Sequence, residues 1–405
     1  MAVKVLDIDL YRASGDIPVE GAYQSAIALI RWQGVPLGQV TLPVSDQRVS
    51  MTVVWTAARE AFGEVLKRRV VEALLFDDKA APSPAPSADI CACSVIICTR
   101  DRPDDLRRCL ESILASKPCP AEVIVVDNAP PNDATARVAT GYPVKYVVEP
   151  RKGLNWARTC GARAAATELL LYTDDDVAVD TGWVGALCKP FADPQVSAVT
   201  GLVLAWELET PAQEAFEHYY GFSRGFRERR FTAANLPPVA AGKVGAGASM
   251  ALRKELVTGL KLFESELDCG TAALSGGDNY AFYRLLKNGF AINYTPDAVC
   301  WHRHRRTERE LLSALYGYGV GVYSFLLRCI EVDNDWTALR AGAGWFLRHH
   351  LRNVIRALLR RRGVTPLRYT TSEIKGVLAA FAAYPKTRRT EREWRAVHAA
   401  DKDPA

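Results

Sequence analysis

The sequence predicts an α/β protein organised on a doubly wound, mostly parallel sheet with flanking helices, and three observations carry that prediction. Short apolar runs alternate with amphipathic stretches from Ser94 to Tyr172, the spacing of successive βαβ units with right-handed crossovers. Each apolar run gives way at its end to polar or charged residues. The fourth, Leu169-Leu170-Leu171-Tyr172, leads through Thr173 into three carboxylates, Asp174, Asp175 and Asp176. Open α/β sheets bind ligands at the carboxyl ends of their strands, so these ends are candidate walls of one cleft.

Taken in order, residues 1–76 read as a small α+β module. Ala26–Trp32 and Leu37–Leu42 flank Gly34 as a hairpin, and Thr52–Leu75 carries Val65, Val70, Leu74 and Leu75 at helical spacing. The Pro/Ser/Ala-rich composition of 77–90 marks a semi-extended linker. The next domain, 91–305, opens with strand Ser94–Cys98 and helix Asp104–Ala115, with Pro103 in the opening position. Strands Val123–Val126 and Val144–Val148 follow. Gly153 then leads into Leu154–Ala166, an Ala-rich helix able to pack closely on a sheet, before the strand that meets the acids. Residues 306–405 read as a helical, Arg-rich extension.

A chain of 405 residues, 49% hydrophobic and 24% charged, has the makeup of an ordinary globular protein of two or three domains. Its net charge of +5 is small for this length and implies no nucleic-acid partner. The charge is uneven: thirteen arginines face five acids between Arg303 and Arg368, a candidate surface for an anionic partner. Ten cysteines show no CxxC pair and no Cys/His spacing suited to zinc, so buried reduced thiols of a cytosolic protein are expected. Met1–Leu10 lacks the regions of a signal peptide. The uncharged run Leu311–Leu327 is short and diluted by Gly317, Gly319 and Gly321, so no transmembrane helix is expected.

If the chain stays extended through the triplet, Asp174 and Asp176 face one side and Asp175 the other. Two carboxylates on one side repel each other unless a cation lies between them, and a hard divalent ion is the economical occupant. A solvated acidic turn is the plain alternative. The first strand ends in Thr99, Arg100 and Asp101, the second in Asp127 and Asn128, and the third leads to Arg151 and Lys152. Singly, such residues cap helices or build turns; four strand ends in succession point to a shared ligand cleft. There is no GxGxxG and no GxxxxGK[ST], so neither a dinucleotide fold of the usual kind nor a P-loop is indicated.

In order and spacing, Ser94–Pro103 with its helix, Val123–Asn128, Gly153–Arg158, the Asp triplet, Gly245–Ala251 with Arg253, Gly276–Asn279 and Trp301-His302 resemble the family 2 glycosyltransferases of the GT-A fold. The resemblance covers residues 92–305. It implies a nucleotide-sugar donor, UDP-, dTDP- or GDP-linked, with Thr99, Arg100, Asp101 and Asp127 near its base and ribose and Arg158 at the nucleotide end. It also implies a DxD motif in which Asp174 and Asp176 carry Mn²⁺ or Mg²⁺, Asp174 also serving the donor, with His302 near the metal and diphosphate. Asp175 has a structural or donor-binding role. Transfer would be inverting, with Asp278 taking the acceptor hydroxyl's proton, and the acceptor a saccharide, a lipid-linked molecule or another hydroxyl compound.

The chain departs from the pattern at Gly277, where the family has Glu, and at Tyr280, where a further acid is frequent. On the residues alone Asp278 also reads as the N-cap of a helix with apolar Ala281, Phe282, Leu285 and Leu286, and a capping carboxylate is a weaker base. A glycosyltransferase-like scaffold without a base therefore stays open. A haloacid-dehalogenase phosphatase, which the Asp174-x-Asp176 spacing also resembles, fits less well because Ala178 replaces the expected Thr or Val. An EF-hand loop fails because Val179 and Gly185 stand at its Gly and Glu positions. His304 is a second histidine in the basic run, and Trp206, Tyr219, Tyr220 and Trp301 form a candidate sugar-stacking set or part of the core.

Asp335–Arg362 reads as one amphipathic helix, with Leu351, Val354, Ile355, Leu358 and Leu359 on one face and Arg348, Arg352, Arg356 and Arg360 on another. Docking of the apolar face on the protein is the commoner fate. Adsorption to an anionic membrane is the alternative and would place a cytoplasmic enzyme at the inner face of that membrane.

Overall fold

The computed structural model describes residues 2–76, 91–359 and 365–400; the expected linker at 77–90 lies outside them. The N-terminal segment forms β1 (Val3–Asp9), β2 (Ile17–Pro18), β3 (Ser25–Trp32), β4 (Val35–Pro43), β5 (Arg48–Val49) and α1 (Met51–Phe76). Strands β3 and β4 are the expected hairpin, turned by Gln33 and Gly34 at φ 51° and 81°, the geometry a two-residue hairpin turn needs. Strand β1 adds to β3 in parallel, a pairing that the alternation of Met1–Leu10 does not announce.

This small sheet is joined to the rest of the chain by directional contacts. The Val3 N–H donates to the Leu208 carbonyl at 2.8 Å, and the buried Arg31 guanidinium bridges Asp7 at 2.7 Å and Asp180 at 2.8 Å. Leu29 packs with Leu202, Leu204, Tyr294 and Val299.

The central sheet begins with β6 (Cys91–Thr99), α2 (Pro103–Leu114), β7 (Pro120–Asn128), α3 (Ala134–Ala139), β8 (Lys145–Glu149), α4 (Leu154–Ala164) and β9 (Leu169–Asp174). Every residue of β6 from Cys93 to Thr99 is buried, as a strand covered on both faces requires. Helix α4 lies close to the sheet because Gly161 has no side chain; a Cβ there would stand 2.4 Å from Ile96. The chain continues through β10 (Val177–Val179), α5 (Trp183–Cys188), β11 (Val196–Ala205), α6 (Pro211–Tyr219), β12 (Arg229–Phe231), β13 (Met250–Arg253), α7 (Lys254–Gly259), α8 (Gly277–Lys287) and β14 (Ala291–His302).

The resulting nine-stranded sheet has the order β10-β14-β11-β13-β9-β6-β7-β8, with β12 beside β14. Strands β9, β6, β7 and β8 are mutually parallel, as are β11 and β14, while β13 runs against both its neighbours. The carboxyl ends of β6, β7 and β9 therefore share one edge, as the strand alternation implied.

The C-terminal region corrects the expectation of one helix over 335–362. It consists of α9 (Glu308–Asp333), α10 (Thr337–Trp345), a π turn (Phe346–Leu351), α11 (Arg352–Leu358) and α12 (Leu367–Ala400). Asp335 stops the earlier start by accepting the Thr337 N–H at 3.1 Å, and Arg360–Arg362 lie outside the described residues. Of the two fates left open for the apolar face, docking on the described residues is not what is seen: Ile355 is 47% and Leu358 70% exposed, with Leu347, Leu351 and Leu359 exposed beside them. Helix α9 is long and apolar enough to cross a membrane, but half of its most apolar window is buried. It lies backbone to backbone with α12, where a Cβ at Gly319 would meet the Glu373 carbonyl oxygen at 2.2 Å.

Candidate active site

A cavity of ≈ 990 Å³ opens along the carboxyl edge of the sheet, lined by Thr99, Arg100, Arg102, Arg158, the three acids 174–176, Asp268, Asp278, His302 and Arg305. Strand β9 ends at Asp174 and the chain turns through Asp175 and Asp176 into β10. The chain is thus not extended through the triplet, and it is the turn that leaves Asp174 and Asp176 near each other with Asp175 bonded elsewhere. Ligand atoms of Asp174, Asp176 and His302 lie within 4.8 Å of one another; His302 is brought there because β14 pairs with β10, opposite Val177. Asp175 turns away, accepting from the Thr99 hydroxyl at 2.8 Å and from Arg102 at 3.0 Å.

The electrostatics suit a cation. Burial and the neighbouring Asp176 and Asp175 push the Asp174 carboxyl up to about 7 against the pull of Arg158, and burial with Asp176 pushes Asp175 up to about 6. Asp176 goes the other way: burial opposes it, yet His302, Arg102 and Arg305 hold its carboxyl below the usual range. Burial lowers His302 to about 4 despite Asp176, which leaves a neutral imidazole with a lone pair to give. Two carboxylates and one neutral imidazole whose ligand atoms converge are a donor set that fits a divalent ion.

On another wall, Asp278 follows Gly276, the residue that caps α8 with φ 101°. Asp278 is therefore not the N-cap. Its Oδ2 accepts the Gly247 N–H at 3.0 Å and its Oδ1 the Asn279 N–H at 2.8 Å.

The family model of glycosyl transferase family 2 matches residues 94–255, the stretch that builds β6 to β13 and supplies the acidic turn. The chain carries a family 2 glycosyltransferase domain. Its relatives include a pre-mycofactocin glycosyltransferase of Mycobacterium tuberculosis, 27% identical over 250 residues, which cover 61% of this chain and 50% of that protein. An N-acetylglucosaminyltransferase of Rhizobium meliloti is 26% identical over 231 residues, covering 53% of this chain and 51% of its own. The chain thus spans about half the length of the curated relatives it matches. A solved mannosyltransferase, PcManGT from Pyrobaculum calidifontis in complex with GDP-Man and Mn²⁺, aligns over 86% of each chain at 18% identity and a TM-score of 0.44.

Within this domain the structure explains the departure at Gly277. A Cβ at that position would lie 2.4 Å from Asn155 Nδ2 and 2.4 Å from Asp268 Oδ2. A carboxylate from the preceding loop thus occupies the space beside Asp278 that a Glu side chain would need. Asp268 is buried, and its Oδ2 accepts from Arg158 Nη1 at 2.9 Å; Arg158 Nη2 reaches Asp174 at 4.0 Å. Arg158 therefore links two acids of the cavity wall. Tyr280 points its hydroxyl at Asp333 on α9, 3.0 Å away.

Other expected residues are distributed unevenly. Thr99, Arg100 and Asn128 line the cavity; Asp101 and Asp127 are not among its described lining residues. Asp127 accepts from the Tyr146 hydroxyl at 2.8 Å, and burial pushes its carboxyl up. His304 lines the cavity and meets Glu217 at 2.9 Å. Of the four candidate stacking aromatics only Tyr220 lines it, stacked on Tyr318 at 4.6 Å. Trp206 and Trp301 instead lie against Arg108 and Arg31, and Tyr219 bonds Glu373.

Sequence reasoning missed three participants. Arg102 joins Asp175 and Asp176 at 3.0 and 3.1 Å, Arg305 stands 3.9 Å from Asp176, and Asp268 holds Arg158. Arg102 lies one residue past the quoted strand end, a usable signal; Asp268, in an irregular loop at φ 89°, carries none.

Proposed function

We propose that this chain is an inverting, metal-dependent glycosyltransferase that moves a sugar from a nucleotide-sugar donor to a hydroxyl of a saccharide or lipid-linked acceptor. The observation that carries the reading is the convergence of the Asp174–Asp176–His302 donor set and the separately held carboxylate of Asp278 on one cavity. A bound divalent ion supplies charge neutralisation for the departing diphosphate. Asp174, Asp176 and His302 would hold it, and the imidazole favours Mn²⁺ over Mg²⁺, which prefers oxygen ligands alone.

Arg102, Arg305, Lys152 and Lys243 line the same cavity and give the phosphate oxygens further cationic partners. Thr99 orients Asp175, and Arg158 with Asp268 holds Asp174 in place. Asp278, fixed by the Gly247 N–H, is the group to accept the acceptor's proton as the hydroxyl attacks opposite the leaving diphosphate. One base and one leaving group suffice for a single displacement, hence inversion. Phe216, Tyr220, Phe222 and Tyr318 offer flat apolar surface for sugar rings.

The exposed apolar strip of Leu347, Leu351, Ile355 and Leu358, flanked by Arg348, Arg352 and Arg356, supports peripheral contact with an anionic membrane and with it a lipid-linked acceptor. The deciding experiment is a panel of nucleotide sugars with Mn²⁺, read as nucleoside diphosphate release. Absence of binding to every donor, with or without metal, overturns the reading; binding without turnover, unchanged in Asp278→Asn, would favour the scaffold.

A further inference from the structure

The C-terminal helices carry a group of ligand-type side chains distinct from the Asp174–Asp176–His302 cluster and from the thiols Cys91, Cys93 and Cys188, outside the donor and base machinery. His349 and His350 leave the π turn side by side, and Glu373 reaches them from α12. Glu373 Oε2 lies 3.2 Å from His349 Nε2 and 3.3 Å from His350 Nε2. The Tyr219 hydroxyl stands 2.6 Å from that oxygen and 3.1 Å from His349 Nε2. Ligands about 2.0–2.1 Å from one tetrahedral ion stand ~3.3 Å apart, so the two imidazoles already keep the spacing such an ion imposes on each nitrogen and the shared oxygen.

His350 and Glu373 are both 0% exposed, yet neither ring nitrogen of His350 nor Glu373 Oε1 makes a hydrogen bond among the described residues. Glu373 Oε2 is hydrogen-bonded to Tyr219 and His349, but a buried carboxylate oxygen and an imidazole without hydrogen bonds are each costly and are seldom left unsatisfied in native proteins. A cation shared between them removes much of both penalties. Trp345 braces the rings, stacked 5.7 Å from His349 and edge-on 4.6 Å from His350, and π turns occur frequently at functional sites.

We propose that His349, His350 and Glu373 bind a borderline divalent transition ion of the Zn²⁺ class, structural in role and separate from the Asp174–Asp176–His302 cluster. Two imidazoles and one carboxylate suit Zn²⁺ or Co²⁺ rather than Mg²⁺ or Ca²⁺. The ion ties the π turn to α12 and, through Tyr219, to α6, whose Phe216 lines the active-site cavity together with His349 itself.

The test is Co²⁺ titration of the full chain after chelator treatment, in the D174N/D176N/C188S background so that neither the first cluster nor the clustered thiols of Cys91, Cys93 and Cys188 contribute. Expected are d–d bands of tetrahedral type saturating near one equivalent, displaced by Zn²⁺, with affinity lowered ~100-fold or more in E373Q and H350Q. Should those two variants not fold, H349Q, at a partly exposed position, is expected to lose ~10-fold or more and to lose the rise in Tm that Zn²⁺ gives the parent protein. If the parent protein shows no such bands, or if H349Q binds Co²⁺ as tightly as its parent, the proposal is overturned and the cluster is a polar network without metal.

Discussion

Replacing Gly277 by glutamate separates two accounts of the active site. If the chain has merely lost a Glu of the family's Glu-Asp pair, G277E restores it and activity rises. The structure predicts the reverse. A Cβ at residue 277 lies 2.4 Å from both Asn155 Nδ2 and Asp268 Oδ2, and neither atom is free to retreat. Asn155 donates to the Glu264 carbonyl at 2.8 Å and to the Leu267 carbonyl at 3.3 Å, and Asp268 is held by Arg158 at 2.9 Å. Overpacking costs about 1–3 kcal/mol, and full rupture of a buried ion pair about 3–5 kcal/mol. A partial displacement of the Arg158–Asp268 pair therefore destabilises by roughly 2–4 kcal/mol, a fall in Tm of roughly 5–15 °C. Because Arg158 also faces Asp174 at 4.0 Å, a ~1 Å shift is expected to slow turnover ~100-fold. Calorimetry and nucleoside diphosphate release check both. A G277E protein that melts within ~2 °C of the parent and turns over as fast or faster would refute the steric account and with it the place given to Asp268.

Four further outcomes follow from the structure. Asp278→Asn keeps donor binding, measured calorimetrically, while turnover falls ~100-fold or more, whereas Asp176→Asn loses the metal-dependent part of donor binding. Apparent Mn²⁺ affinity falls about tenfold per pH unit below ~7 and levels off above it, because the Asp174 carboxyl, pushed up to about 7 by burial and its acidic neighbours, must shed its proton to become a ligand. A titration flat between pH 5.5 and 8 would contradict that. Leu351→Glu with Ile355→Glu, both at exposed positions, abolishes sedimentation with phosphatidylserine vesicles while Tm moves by no more than ~2 °C; unchanged sedimentation would exclude this strip as the membrane contact.

Much of the fold was legible because strand and helix periodicity records local burial. The strands Cys91–Thr99, Pro120–Asn128, Lys145–Glu149 and Leu169–Asp174 all lie where apolar runs placed them. The C-terminal region was misread for the same reason: the spacing of Leu351, Ile355 and Leu358 reports an apolar face, but neither the π turn nor the absence of a covering element among the described residues is written in it. Asp278 was singled out through a motif position, and the same motif made Gly277 a departure where the family has Glu. Only the packing of Asn155 and Asp268 shows why glycine is needed there.

By itself, the sequence determined that a parallel sheet would end in Thr99, Asn128 and the triplet on one edge, because chain direction and crossover handedness leave little choice once strands alternate with helices. The tertiary structure alone decided which groups meet. Thr99 bonds Asp175 across 76 residues, Arg158 bonds Asp268 across 110, and Tyr219 meets Glu373 across 154. Contacts at such separations are set by how elements pack and how far irregular loops reach, neither of which leaves a periodic trace along the chain.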